Sequence, residues 1–185
     1  MRIVAGKFKG KALASPKGQE TRPTSDRVRE SLFNILEHGI DGFEIEGARV
    51  LDLFAGTGAL GLEALSRGAK HCLFIENSAA ARGIIRDNVE ALSLTGNTSV
   101  WRRDATTLGP AGSSDACDLI FCDPPYGKGL GEQALAGALE NGWVKPGAIA
   151  ALEERSGADV EIPAGFLEID RRTYGDTQIV VLRVA

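Results

Sequence analysis

From residue 48 onward, short apolar runs alternate with segments of helical periodicity, and this alternation constrains the fold more than any other feature of the chain. Residues 49–54, 71–75, 99–103, 118–122 and 148–152 read as strands. Residues 58–67, 78–92 and 130–141 lie between them as helices, the first stopped by Gly68. Strands and helices in this order imply βαβ units and a parallel sheet covered on both faces. The end of the chain breaks the pattern. Residues 166–174 and 178–184 flank Gly175-Asp176-Thr177 and read as a hairpin, so at least one strand runs antiparallel. The expectation is an α/β domain with a mostly parallel seven-stranded sheet, helices on both faces and a C-terminal antiparallel hairpin.

The first 40 residues differ. Residues 1–22 are rich in Lys and Gly and suit a short hairpin or an arm. A helix follows, entered at Pro23 with Thr24 or Ser25 as its cap. Val28, Leu32, Ile35 and Leu36 recur on one face, Arg27, Arg29 and Glu30 fall largely off it, and Gly39 is the stop. The chain therefore divides into a basic N-terminal arm and helix (1–40) and an α/β domain (41–185).

The net charge of −4 argues at first against a polyanionic partner. It is an average of two unlike parts. The first 30 residues carry eight basic and three acidic side chains, a net of +5, and the other 155 carry 13 and 22, a net of −9. An acidic body with a basic front end points toward a polyanion. The three cysteines (Cys72, Cys117 and Cys122) sit in apolar runs outside any CxxC, and His38 and His71 are the sole histidines, so neither a disulfide framework nor a metal site is expected. With 185 residues, no apolar signal segment and no run of about 18 apolar residues, the sequence reads as one soluble cytoplasmic chain.

The first strand ends in Asp52-Leu53-Phe54-Ala55-Gly56-Thr57-Gly58, and Gly61 completes a GxGxxG pattern. Glycine lets the backbone approach a ligand, and the next helix presents free N–H groups. The pattern alone suits NAD, FAD and S-adenosylmethionine (SAM) alike. Its acidic neighbours discriminate. Asp52 would face a diphosphate unfavourably but suits an amino group such as that of SAM. Glu76 ends the second strand, where a carboxylate can accept from two ribose hydroxyls, and Asp104 ends the third, within reach of an adenine amine.

The fourth strand runs into Asp123-Pro124-Pro125-Tyr126-Gly127. Two prolines stiffen the turn. It presents the Asp123 carboxylate and the Pro124 carbonyl as two acceptors, a match for an aromatic NH2. Accepting both N–H bonds draws the nitrogen toward tetrahedral geometry and frees its lone pair. Tyr126 offers a stacking face for a base held outside a helix.

These residues resemble those of Rossmann-like SAM-dependent methyltransferases: the segment from Asp52 to Gly58 matches motif I and that from Asp123 to Tyr126 matches motif IV of enzymes that methylate amino groups. The front end narrows the resemblance. Arg2-Ile3-Val4-Ala5-Gly6, Lys9-Gly10-Lys11 and the run from Thr21 to Leu36 (TRPTSDRVRESLFNIL) are similar to the RsmD family, whose members methylate the exocyclic N2 of one guanine in 16S ribosomal RNA. The resemblance implies that Asp52, Gly56 and Gly58 line the methionine end of SAM, with Phe54 and Thr24 also at the cofactor. It implies that Glu76 holds the ribose and Asp104 the adenine. Asp123, Tyr126 and the Pro124 carbonyl would hold the target amine, with S-adenosylhomocysteine as product. Lys7, Lys9, Lys11, Arg22, Arg27 and Arg29 are the expected RNA contacts. The implied partner is 16S rRNA in an assembled or assembling small subunit, with no membrane and a monomeric enzyme. The polar stretch 153–159 departs from the longer helix usual there and reads as a shortened, loop-like crossover, which puts nothing catalytic in doubt.

Other readings remain open at this point. A nicotinamide oxidoreductase explains the glycine loop and Glu76 but leaves the Asp-Pro-Pro-Tyr turn unexplained. A methyltransferase acting on adenine N6, cytosine N4 or glutamine N5 shares the same turn. Cytosine C5 chemistry would need a cysteine, but Cys122 and Asp123 are strand neighbours and should face opposite sides. A non-catalytic RNA-binding factor is the third alternative.

Overall fold

A computed structural model describes residues 1–16 and 23–185, with residues 23–25 as helix backbone only. Seven strands form one sheet: β1 (Arg49–Leu53), β2 (His71–Ile75), β3 (Thr98–Trp101), β4 (Cys117–Cys122), β5 (Val144–Arg155), β6 (Phe166–Tyr174) and β7 (Thr177–Val184). The helices are α1 (Pro23–His38), α2 (Ala59–Ser66), α3 (Ala79–Ala91) and α4 (Leu130–Glu140). The strand order is β3-β2-β1-β4-β5-β7-β6. The first five strands run parallel, and β7 enters antiparallel between β5 and β6. The order reverses between β1 and β4, and the crevice at the carboxyl ends of those strands is where such sheets seat ligands.

Strands buried on both faces need apolar residues at every position, and β1 is buried from Val50 to Leu53. Alternate residues feed two cores. Val50, Phe74, Leu119, Phe121 and Ile149 pack under α1, α2 and α3, while Leu51, Ile75, Ile120, Ala150 and Leu152 pack under α4 with Trp143. Cys122 belongs to the second core and contacts the Gly131 carbonyl of α4, with burial pushing its thiol far up, so it faces away from the first. Gly61 shows why α2 needs a glycine there. A Cβ would lie 2.5 Å from both Cys72 Sγ and Phe74 Cε1.

Two sequence expectations need correction. The fifth strand is far longer than 148–152 and carries Glu153, Glu154 and Arg155 as strand residues instead of a loop. Their backbones pair with Ile179, Gln178 and Thr177 of β7, which the periodicity of an isolated polar run does not reveal. Arg29 is not off the buried face of α1. It is 4% exposed, its Nε donates to Glu63 (3.2 Å), and its Nη2 donates to Asp26 (2.9 Å) and to the Arg2 carbonyl. Phe33, Leu32, Ile35 and Leu36 complete that face.

Glu63, 0% exposed, is the junction of these pieces. Its Oε1 accepts from Val4 N–H (2.9 Å) and Arg29 Nε, and its Oε2 from Ala5 N–H (3.0 Å) and Arg67 Nε (2.9 Å). The amino-terminal residues form a tight hairpin closed by an Arg2–Ala12 bridge. Gly6 sits at φ +84°, and a Cβ there would meet the Ser66 carbonyl at 2.0 Å. Asn88 of α3 then holds residue 14, accepting from Ala14 N–H and donating to the carbonyls of Ala14 and Thr57.

Removing a partner from a buried ion pair costs about 3–5 kcal/mol, because the remaining charges stay buried. Glu63→Ala removes the buried partner of both Arg29 and Arg67 and leaves each with one partly exposed carboxylate, Asp26 and Glu37. Urea unfolding of this variant should show a stability loss of about 3–5 kcal/mol, far beyond that of Glu37→Ala at the half-exposed end of the same network.

Candidate functional site

The loop after β1 turns on backbone that few residues tolerate. Phe54 has φ +56°, Gly56 φ +60° and Gly58 φ +81°. A phenylalanine in the left-handed region costs on the order of 1–3 kcal/mol and persists where its surroundings dictate it. Here the dictating bonds are Ala55 N–H to the Ile75 carbonyl and Gly56 N–H to Glu76 Oε1 (2.8 Å). Glu76 also accepts from Ser78 N–H through Oε2 (2.9 Å), so one carboxylate ties the glycine loop to the start of α3. Each oxygen retains a further acceptor position for hydroxyl groups.

Asp52 points into the first core and accepts from Gly61 N–H at 3.1 Å. Burial, only partly offset by that bond and reinforced by Glu76, pushes its carboxyl up to about 8. Asp104 stands at the rim and accepts from both Thr106 N–H (2.9 Å) and Thr106 Oγ1 (2.7 Å), bonds that hold it below the usual carboxylate range.

Two cavities meet at Phe54 and Asp123, which line both. The wider cleft, about 1010 Å³, runs past Glu76, Asn77, Ser78, Arg103, Asp104 and the two prolines of the turn. The deeper one, about 410 Å³, lies between α1 and the β6–β7 turn and is bordered by Asp52, Gly56, Asp123, Tyr126, Glu153 and Thr177. The glycine loop (Phe54 to Thr57) and the Asp-Pro-Pro-Tyr turn (Asp123 and Tyr126) thus both line the deeper cavity.

Part of Asp123 is open to the cavity, while protein crowds its other sides. That crowding, then the neighbouring Glu153, pushes its carboxyl well up, with Asp52 and Glu154 adding to the effect. Glu153 is raised as well by burial, opposed by bonds from Tyr126 and Asp123. The Asp123 and Glu153 carboxyls lie side by side on the cavity wall. The Tyr126 hydroxyl reaches Glu153 Oε1 at 3.1 Å and Thr177 Oγ1 at 3.0 Å, and burial raises it to about 12. Glu154 accepts from Gly127 N–H at 3.1 Å and fixes the end of the turn. Tyr126 is therefore anchored to β5 and β7, with its ring, half-buried, on the cavity wall.

The candidate residues fall into three groups. Asp52, Phe54, Gly56, Asp123 and Tyr126 line the deeper cavity; Phe54, Glu76, Asp104, Asp123 and Pro124 line the wider one; Gly58 lies beneath the loop against Phe74 and Ile85. Lys7, Lys9 and Lys11 are exposed on the amino-terminal hairpin and Arg27 on α1. Arg29, expected at RNA, is instead buried in its ion pairs and borders the deeper cavity. Arg22 and the side chain of Thr24 lie outside the described residues. Glu153 and Thr177 are additions. Glu153 was detectable by the same signal that marks the other acids, a carboxylate at the carboxyl end of an apolar strand. Thr177 carries no such signal, since it is brought in by antiparallel pairing with Arg155.

The family model described as Conserved hypothetical protein 95 matches residues 1–183. The chain is 37% identical to the YlbH protein of Bacillus subtilis over 99% of this chain and 98% of that one. It is 33% identical to the ribosomal RNA small subunit methyltransferase D of Haemophilus influenzae, over 95% and 89% of the two chains. The solved structure of the yhhF protein of Escherichia coli superposes with a TM-score of 0.84 at 31% identity, covering 100% of this chain and 97% of that chain.

The raised Asp52 has a measurable consequence. In the unfolded chain it ionises near 3.8, and in the fold near 8. The folded form therefore holds the proton more tightly, and the stability this contributes is complete below about pH 4 and lost as pH rises toward 8. Asp123 and Glu153 act in the same direction. Urea titrations of the ligand-free protein should show unfolding free energy falling between pH 5 and 8, with Asp52 accounting for up to about 1.4 kcal/mol per pH unit. Asp52→Asn should flatten that slope.

Proposed function

Because the chain belongs to the Conserved hypothetical protein 95 family, the RsmD family of ribosomal RNA methyltransferases, we propose that it transfers a methyl group from SAM to the exocyclic N2 of a guanine in 16S ribosomal RNA. The observation that carries this reading is the shared cavity. A glycine loop of SAM type and an Asp-Pro-Pro-Tyr turn of amino-group type face the same space across Phe54 and Asp123.

The residues present suit SAM. Asp52 is a buried carboxyl bordering the cavity, and a nearby cationic group would let it ionise. Glu76 has acceptor positions left for the ribose, and Asp104 one oxygen for the adenine amine. Bound SAM supplies a methyl group already activated by a sulfonium leaving group. The rest of the task is alignment, which falls to the chain's own residues. Asp123 and the Pro124 carbonyl accept the two N–H bonds of the guanine amine and direct its lone pair along the cavity. The Tyr126 ring, held by Glu153 and Thr177, stacks against the base. Once the new N–C bond has formed, the nitrogen gives up one proton to Asp123 or to solvent. The product left behind is S-adenosylhomocysteine. The substrate is RNA in an assembled or assembling small subunit, and the enzyme acts as a monomer.

No helix among the described residues is long and apolar enough to cross a membrane. The exposed Lys7, Lys9, Lys11 and Arg27 flank α1 and the hairpin, where phosphate contacts would position the RNA over the cavity.

Labelled SAM incubated with unmodified small subunits and with free RNA should yield N2-methylguanosine by mass spectrometry. Label on protein alone, or on another nucleoside, would refute the reading. Asp123→Ala should lower turnover about 100-fold or more while SAM affinity stays within about twofold of wild type. Neutralising Lys7, Lys9, Lys11 and Arg27 together should weaken RNA binding and reduce the slope of log affinity against log salt by up to about 3, with SAM binding unmoved.

A further inference from the structure

Glu153 sits at the carboxyl end of β5, beside Asp123, on the wall of the cavity assigned to the base. Its bond from Tyr126 engages Oε1 at 3.1 Å, and its contact with Asp123 places two carboxyls side by side next to the stacking ring. Holding Tyr126 takes only Oε1, with the Thr177 hydroxyl at 3.0 Å on the other side of the phenol oxygen, so Oε2 is not needed for that role. A second acid in this position, at the cost of crowding two like charges, requires another explanation.

When ionised, the pair is an acceptor-only surface. Among bases with an exocyclic amine, guanine alone carries a second N–H donor adjoining it, because N1–H neighbours N2. The adenine amine is flanked by the lone pairs of N1 and N7, and the cytosine amine has the N3 lone pair beside it. A site built to pair with a donor rejects an analogue lacking it, because its own polar group is then left unpaired.

We infer that Glu153 determines base specificity: its carboxylate accepts the N1–H of the guanine while Asp123 accepts from N2. This rests on the guanine-N2 reading above. In the free protein the two carboxyls crowd one another on the cavity wall. When the base enters, its N–H donors meet both acids as carboxylates, and any proton either acid held passes to solvent. An adenine or cytosine would instead set a ring lone pair against Glu153.

The test uses 2-aminopurine, which keeps the 2-amino group and the purine ring but has a lone pair at N1 in place of N1–H. Small subunits are assembled from ligated RNA carrying guanine or 2-aminopurine at the position that the wild-type protein methylates. Wild type should favour guanine about 10- to 100-fold in kcat/KM. Glu153→Gln is isosteric, retains an acceptor for the Tyr126 hydroxyl, and can turn its NH2 toward the N1 lone pair. It should reduce the preference about tenfold or more. Quenching of 2-aminopurine fluorescence on stacking gives a readout independent of turnover, and the Gln variant should bind this RNA more tightly than wild type does. Unchanged SAM affinity checks that the variant is folded.

If Glu153 merely props Tyr126, the substitution slows both substrates equally and the preference stays put, which overturns the inference. A wild-type preference for 2-aminopurine also overturns it, since Glu153 would then be donating a retained proton. If wild type methylates neither RNA on N2, the guanine reading itself falls and takes this inference with it. Guanine methylated without any preference over 2-aminopurine leaves that reading standing and removes the inference alone.

Discussion

The carboxylate of Glu63 is the interaction on which the rest of the arrangement depends. It is wholly buried, yet its four hydrogen bonds come from three separate parts of the chain: the amino-terminal hairpin, α1 and α2. A buried charge is tolerated only when paired and hydrogen-bonded, so these bonds form together or not at all. That requirement locks α1 onto α2, the helix whose first turn completes the glycine loop. The basic hairpin is set at the edge of the site by the same carboxylate, and Met1 reaches the cavity rim.

A second set of carboxylates works in the opposite sense. Asp52, Asp123 and Glu153 gather at the carboxyl ends of β1, β4 and β5, and all three are raised. Among the described residues, no arginine is committed to them as Arg29 and Arg67 are to Glu63. The acids that hold the fold are thus fully paired within the protein. Those that face the cavity are left short of donors, which a cationic cofactor and an amine-bearing base would supply. The same residue type serves both purposes, and the distribution of donors around it makes the difference.

Much of this was legible in the sequence. The alternation of apolar runs placed β1, β2, β4 and α2–α4 within a few residues, because a strand buried on both faces must be apolar throughout. Asp52, Glu76 and Asp123 stood out because acids directly after such runs fall at the ligand-binding edge of the sheet. Glu153 obeyed the same rule and was passed over, since the polar residues after it resembled a loop. The extension of β5 is held by backbone pairing with β7, a long-range interaction with no local periodicity. Arg29 departs from its helical-spacing expectation for a related reason. Helical spacing puts it beside the apolar face, and only the placement of Glu63 opposite makes that position a buried ion pair.

The sequence by itself determined the α/β class, the glycine loop, the stiff Asp-Pro-Pro-Tyr turn and the split between a basic front and an acidic body. Each is a matter of local stereochemistry or of counting charge. Tertiary structure alone decided which charges neutralise one another and which remain for a ligand. Burial sets the cost of ionisation, and burial depends on segments far apart in the chain: Glu63 meets Val4, and Tyr126 meets Glu153 and Thr177. The basic front is accordingly smaller than its +5 suggests, because Arg29 is spent inside the protein, whereas Lys7, Lys9, Lys11 and Arg27 are exposed at the surface.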